Sequence, residues 1–269
     1  MQDNIITILR AGESEMSAIQ PKYKRVLLKL SGEALNKGGD GGILNGNVVR
    51  RICESVKRCA DMGVQVSIVV GAGNIWRGRM GADMDSARAD HMGMLATAIN
   101  SLALADALER LGVQTRVMTA IEMKEFAEPY IRLRAIHHLE LGRVTIFACG
   151  LGMPYFSTDT AAVMRAKEID ADVVLIAKNG VEYVYSADPG IAPDAVCYKG
   201  KLDYSNLVIR KLKVIDPTAA VFAAENHIKL HVFGMDDPEN ICRAVAGEPI
   251  GTIITDDPAT VCNEVNPTV

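Results

Sequence analysis

The chain is 269 residues long, 49% hydrophobic and 23% charged, with a formal net charge of -4. At that length roughly three quarters of the unfolded surface can be buried, so one large α/β domain or two small ones can form, and the composition excludes global disorder. The negative balance argues against nonspecific nucleic-acid binding but leaves room for a local positive cleft.

Residues 1–20 have no basic n-region and no continuous apolar stretch, and they read as a polar N-terminal extension. No later run approaches membrane-spanning length, so neither secretion nor membrane insertion is expected. A strand over Val26 to Leu30 stops at Ser31-Gly-Glu33, and the segment Asn36 to Gly42 is too glycine-rich for helix or strand. Asn47 to Met62 repeats Val48, Ile52, Val56 and Ala60 every four residues ahead of Gly63, the pattern of an amphipathic helix with a glycine stop. A strand over Val66 to Val70 enters Gly71-Ala-Gly-Asn74. Further on, Asp90 to Leu111 reads as helix, Thr115 to Thr119 as strand, Ile131 to Leu141 as helix and Val144 to Ala148 as strand, with Gly112 and Gly142 as stops.

A helix opens at Thr158 as N-cap and runs to Ile169, ahead of a strand over Val173 to Ala177. Asn179-Gly180 and Asp188-Pro189 mark turns, with a short extended piece over Val181 to Ser186. Asp216-Pro217 and Asp237-Pro238 each place a capping carboxylate before a proline at the first helical position. They frame a helix near Thr218 to Asn226, a strand over Lys229 to Phe233 and a helix ending at Ala246, with a last strand over Gly251 to Thr255. The expected layout is one domain over 21–256 and a flexible tail over 257–269. Strands alternating with helices predict right-handed crossovers and a mostly parallel sheet covered on both faces, a three-layer α/β/α sandwich.

Three strands end in glycine-bearing loops: at Gly32, at Gly71 and Gly73, and at Gly150 and Gly152. Glycine lets backbone N–H groups approach a ligand closely, and helix starts attract anions, so three such mouths on one sheet point to a substrate with several phosphates. Lys29, two residues before the first turn, places an ammonium beside them. The common phosphate motifs are absent: Gly200-Lys201 is followed by leucine, there is no H-R-D or D-F-G set, and after Gly71 and Gly73 the dinucleotide pattern fails at Trp76. The six cysteines (Cys53, Cys59, Cys149, Cys197, Cys242, Cys262) form no C-x-x-C pair and no zinc-ligand spacing, so a reduced, cytoplasmic setting without disulfides is expected. Neither His137-His138 nor His227 with His231 is spaced for a metal.

The stretches Lys29-Leu-Ser-Gly-Glu33, Gly71-Ala-Gly-Asn-Ile-Trp-Arg-Gly78, Asp90-His-Met-Gly-Met-Leu-Ala-Thr97, Gly152-Met-Pro-Tyr-Phe-Ser-Thr-Asp159 and Ala177-Lys-Asn-Gly180 stand in the order that the amino acid kinase superfamily shows. The chain resembles that superfamily over about Lys24 to Thr255 and, through Asp90 to Ala96 in particular, its uridylate kinases. The resemblance implies transfer of the γ-phosphoryl group of ATP to UMP, in pyrimidine nucleotide biosynthesis, with Mg2+ carried by ATP. It further implies a homohexamer, with GTP as activator and UTP as inhibitor. By resemblance Lys29, Arg77 and Asp159 are the catalytic set. Leu30, Ser31, Gly32, Gly73, Asn179, Tyr185 and Asp188 join Lys29 and Arg77 around ATP. Ala72, Asp90 and the run Leu151, Gly152, Met153, Pro154, Tyr155, Phe156, Ser157 and Thr158 surround UMP. Asp159 is read as an organiser of Lys29 or of magnesium-bound water, because a phosphate acceptor needs little general-base help.

Some positions depart from the family pattern. Gly150-Leu-Gly-Met-Pro154 stands where many relatives have glycine-threonine-glycine-asparagine-proline, and Val181-Glu-Tyr-Val-Tyr185 replaces valine-aspartate-glycine-valine-tyrosine. Arg116 and Arg143 align with arginines of the family's GTP site, where this chain also has Ala105 and Glu109. The competing readings are a nucleotide sensor or storage protein that keeps the fold without catalysis and, among enzymes, a carbamate or acetylglutamate kinase.

Overall fold

The computed structural model describes residues 20–38, 42–76, 83–188, 190–192 and 194–256, and the backbone of 262–265. The expected N-terminal extension up to residue 19 therefore lies outside the described residues.

In chain order the elements are β1 (Arg25–Leu30), a 3-10 turn (Gly32–Asn36), α1 (Gly46–Asp61), β2 (Gln65–Val70), α2 (Ser86–Arg110), β3 (Thr115–Thr119), β4 (Glu128–Pro129), α3 (Arg132–Glu140) and β5 (Val144–Ala148). They continue as α4 (Thr158–Glu168), β6 (Val173–Lys178), β7 (Val184–Tyr185), β8 (Cys197–Leu202), α5 (Tyr204–Ile209), α6 (Pro217–Glu225), β9 (Leu230–Gly234), α7 (Asn240–Ala246), β10 (Thr252–Ile254) and β11 (Cys262–Val265). No helix among the described residues is long and apolar enough to cross a membrane.

All the described strands join one sheet in the order β11-β8-β10-β9-β6-β1-β2-β5-β3-β4, with β7 attached to β8. The seven strands from β9 through β4 are mutually parallel, while β10 turns antiparallel to β9. This is the mostly parallel α/β/α architecture that the alternation of elements predicts. β1 is buried on both faces, and its residues divide between them: Val26, Leu28 and Leu30 pack with α1, α2 and α7, whereas Leu27 packs with α3, α4 and α6. Lys29 shares the Leu27 side, because strand side chains alternate.

The chain lays β2 on one side of β1 and returns to place β6 on the other, so the strand order reverses at β1. Open parallel sheets bind ligands at the carboxyl ends of the strands at such a point. The three glycine mouths follow β1, β2 and β5, which are neighbours.

Several boundaries differ from the sequence-based expectation. α1 buries Val49, Ile52, Cys53, Val56 and Cys59, while Val48 and Ala60 are only half-buried. A strict four-residue series drifts around a helix, and the packed face alternates steps of three and four. α2 begins at Ser86, a turn earlier than Asp90, because the Asp85 carboxylate accepts the Arg88 N–H at 3.1 Å. Ser157, not Thr158, caps α4. β8 and α5 were not read from the sequence: β8 contains Lys199-Gly-Lys201, which breaks the apolar run. Within the stretch expected as a tail, 257–269, the described residues are Cys262–Val265, which form β11. There β11 pairs antiparallel with β8 and covers an edge that would otherwise present unpaired backbone groups.

Candidate active site

Lys29 is the penultimate residue of β1, only 8% exposed, with its side chain on the α4 side of the sheet. Burying an ammonium requires a counter-charge. α4 supplies it from its first turn: Asp159 Oδ1 lies 2.6 Å from Lys29 Nζ. Lys29 is the partner the structure gives this carboxylate oxygen, so the two charges depend on each other. Asp159 is positioned in turn by the Ser157 cap, whose Oγ accepts the Asp159 and Thr160 N–H groups at 3.0 and 3.1 Å.

The first two mouths are pressed together. A Cβ on Gly32 would fall 2.5 Å from Asn74 Oδ1, 2.6 Å from Gly71 O and 2.7 Å from Gly73 N, so no side chain fits there. One on Gly73 would meet the Glu33 side chain at 3.1 Å. α2 braces the loops from the other side. The fully buried Asn100 donates to Gly71 O at 2.8 Å and exchanges hydrogen bonds with the Asn74 amide at 2.8 and 2.9 Å. One turn earlier, Thr97 Oγ1 accepts the Cys149 N–H at 2.9 Å and so holds the third mouth. In that mouth Cys149, Gly150, Gly152 and Tyr155 all have positive φ, between 56° and 74°.

Two openings flank the start of α4, with Thr158 lining one and Asp159 the other. One is a cleft of about 260 Å3 lined by Ala72, Gly73, Asp90, Leu151, Met153, Phe156, Ser157 and Thr158, which gathers most of the residues expected around UMP. Gly152, Pro154 and Tyr155 belong to the same loop without lining it. Asp90 Oδ2 accepts the Tyr155 N–H at 2.7 Å, which ties this loop to α2. The other opening comprises a cavity of about 710 Å3 lined by Asp159 and Lys178 and a smaller one of about 300 Å3 lined by Lys178, Tyr185 and Asp188, sharing Lys178, Lys213 and Val214. Tyr185 and Asp188 of the expected ATP set are there, and Asn179 is not among the lining residues. Leu30, Ser31 and Gly32 form the turn beside Lys29. Arg77 lies outside the described residues.

Two residues outside the expected site set join it. Lys178, at the end of β6, has its ammonium pushed below the ordinary lysine value by burial first and by the charge of Lys29 second, with Asp159 partly offsetting both. The site thus concentrates positive charge that an anionic ligand would relieve. Asp216 caps α6 through the Ala219 N–H at 3.0 Å and also accepts hydrogen bonds from Ser157 and Thr160. Burial pushes its carboxyl up, but these hydrogen bonds prevail and hold it below the usual range. One carboxylate therefore ties the starts of α4 and α6 together. The Asp-Pro signal revealed the cap but not its second partner.

Among the described residues, no group of three His, Cys, Asp or Glu side chains is arranged to hold a metal ion. An anion site at the carboxyl ends of a parallel sheet, with a buried lysine–aspartate pair at the junction of two clefts, has the form of a phosphoryl-transfer centre. The model of the amino acid kinase family matches residues 24–234, and the chain belongs to that family. Among solved structures it is similar to a UMP kinase from Bacillus anthracis, with 40% identity, TM-score 0.85, and coverage of 90% of this chain and 99% of that one. A UMP kinase from Ureaplasma parvum matches with 37% identity, TM-score 0.82 and coverage of 87% and 100%. A uridylate kinase from Archaeoglobus fulgidus matches with 30% identity, TM-score 0.68 and coverage of 86% and 99%.

Proposed function

We propose that the chain transfers the γ-phosphoryl group of ATP to UMP, giving UDP and ADP. The observation that carries this reading is the Lys29–Asp159 pair at the junction of the clefts, where Thr158 lines one opening and Asp159, the next residue, lines the other. Two nucleotides repel each other, so the chain must hold them in line and neutralise the charge that spreads over the transferred oxygens. Lys29 supplies a fixed positive charge, with Lys178 beside it and Arg77 as the third cation. The N–H groups of the glycine mouths hold phosphate oxygens. Asp159 keeps Lys29 aimed, and it abstracts no proton.

The residues present suit a magnesium ion held mainly by nucleotide phosphates. Among the described residues the larger cavity has two carboxylates, Asp159 paired with Lys29 and Asp216 taken up by Ser157, Thr160 and the Ala219 N–H, whereas a protein cage would need several free oxygen ligands. When bound, the ion contributes charge neutralisation across the ATP phosphates.

The same reading carries a cytoplasmic homohexamer acting in pyrimidine biosynthesis, activated by GTP and inhibited by UTP. An exposed apolar row on α2, Met92, Leu95, Ile99 and Leu102, supports a subunit contact. For GTP to use Arg116 and Arg143, it must compete with their present partners, Glu128 at 3.4 Å and His138 Nδ1 at 3.0 Å.

An acceptor panel of UMP, CMP, dTMP and N-acetylglutamate tests the proposal. ADP release from ATP is expected with UMP and at background level with N-acetylglutamate. ADP release that needs no acceptor, or that prefers the amino acid derivative, would overturn it.

A further inference from the structure

Far from the nucleotide clefts, the seam between α1 and α7 contains a second chemical feature. Cys59 of α1 and Cys242 of α7, 183 positions apart in sequence, meet with their Sγ atoms 3.7 Å apart. Both are buried, and among the described cysteines they are the pair in thiol–thiol contact. Cys53, six residues earlier on α1, is engaged instead with Leu104 O. Cys242 Sγ also lies 3.3 Å from Ser55 O. Three ion pairs run along the same seam: Lys37 with Asp236, Arg51 with Asp237 and Arg58 with Glu239. The junction is thus held by charge pairs and one sulfur contact.

Buried cysteines are usually inert small hydrophobes. This pair is differentiated. The hydrogen bond from Cys59 and the Arg58 guanidinium hold the Cys242 thiol below the ordinary range against the opposing effect of burial, while the same hydrogen bond and burial push Cys59 up. One sulfur is set to attack, and a protonated partner stands within reach to resolve the product.

We propose that Cys59 and Cys242 are a redox modification site that closes to a disulfide between α1 and α7 when the protein meets a peroxide. The Cys242 thiolate attacks one peroxide oxygen, the O–O bond breaks, and the departing hydroxide takes up a proton as water, leaving a sulfenic acid. Cys59 then attacks that sulfur and gives up its proton. The S–O bond breaks, and a second water leaves. Two thiols and one hydrogen peroxide become one disulfide and two waters. Because both sulfurs are covered, oxidation waits on local opening of the seam, and α7 has only seven residues with which to resist it. Once closed, the link constrains a loop of 183 positions and stabilises the fold against unfolding.

The test uses the full chain without nucleotide. It is treated with hydrogen peroxide, denatured, capped with N-ethylmaleimide, and digested without reductant for mass mapping. The expected result is a peptide linking Cys59 to Cys242 in a monomer lighter by two hydrogens. An apparent Tm raised on the order of 5–10 °C should accompany it, and both should be reversed by dithiothreitol. Cys59→Ser should leave Cys242 as a sulfenic acid that dimedone traps, Cys242→Ser should abolish the link, and Cys197→Ser should leave it intact. Full alkylation of both cysteines after an exposure that oxidises other cysteines would overturn the proposal, as would a link from either to a different cysteine. If the serine variants fail to fold, the map of the unmutated chain decides alone.

Discussion

Lys29 and Asp159 illustrate how much one buried pair is asked to do. Their side chains are 10% and 17% exposed, so neither charge is well solvated, and each depends on the other. In the proposed reaction, replacing Lys29 by methionine removes a preorganised positive charge where charge develops in the transition state. Turnover should fall about 10² to 10³-fold. It also leaves Asp159 without its counter-charge, which should cost about 1–3 kcal/mol in urea denaturation, below the figure for a fully buried pair because some water reaches the site. Adding Asp159→Asn to Lys29→Met should restore most of that stability and none of the turnover. Near-normal turnover of folded Lys29→Met would remove Lys29 from the chemistry. The lysine was legible in the sequence because it stood two residues before a glycine turn. Lys178 was not: a lysine closing a strand looks like a solvated cap until the fold sets it beside Lys29.

At the scale of the element, α2 does more than cover the sheet. Thr97 and Asn100 sit one turn apart on one face of an otherwise apolar stretch, and each reaches a different glycine mouth. Asn100→Ala would remove the partner of the buried Gly71 O and of the half-buried Asn74 Oδ1, while Asn74 Nδ2 keeps Ile43 O, at a cost of about 2–3 kcal/mol. It would also free the first two mouths to shift, and a displacement near 1 Å at positioning groups is enough to lower kcat/KM for both nucleotides about 100-fold. Denaturation and steady-state kinetics on the same preparation check this. A loss of stability with unchanged kinetics would show that Asn100 supports the core alone. The helix itself was readable, but its bracing role was not. Polar residues inside an apolar helix look like weak points in a pattern, and only the packed loops reveal what they bind. The end of α4 was misread by one residue for a related reason: Ser157 and Thr158 are both good caps, and the choice depends on Asp216, 59 positions away from Ser157 in the chain.

For the molecule as a whole, the parallel half of the sheet followed from alternating periodicities and glycine stops, whereas on the other side only β10 was read as a strand, and β8, β11 and the antiparallel direction of β10 were not. Short strands with lysines and glycines carry little periodic signal, and their pairing is decided by neighbours distant in sequence. The β9–β10 contact on this side also sets a pH limit. His231 is fully buried in β9, and its Nε2 contacts Ile250 O at 2.7 Å while Nδ1 has no partner. Burial, the largest influence, holds the imidazole below its ordinary 6.5. The folded chain keeps it neutral, so as pH falls through 6.5 the unfolded chain takes up a proton that the folded chain refuses. More protons bound in the unfolded state means stability that is present above 6.5 and declines as pH drops towards the lowered folded value. Melting curves from about pH 7 to 5 should show this decline, and His231→Gln, which keeps a donor for Ile250 O, should flatten it. An unchanged slope would assign the acid sensitivity to other groups.

The contact of Gly32 with Gly71 and Gly73 has a consequence for how such an enzyme can diversify. The gap between the two anchoring turns is fixed by main chain meeting main chain, so no exchange of side chains there can widen it to admit a bulkier acceptor. Variation in substrate choice is diverted to residues 149–158, where Cys149 and Tyr155 already tolerate a left-handed backbone. A library that randomises Leu151, Met153 and Phe156 while leaving the three glycines untouched explores the part of the enzyme that its architecture leaves open to change.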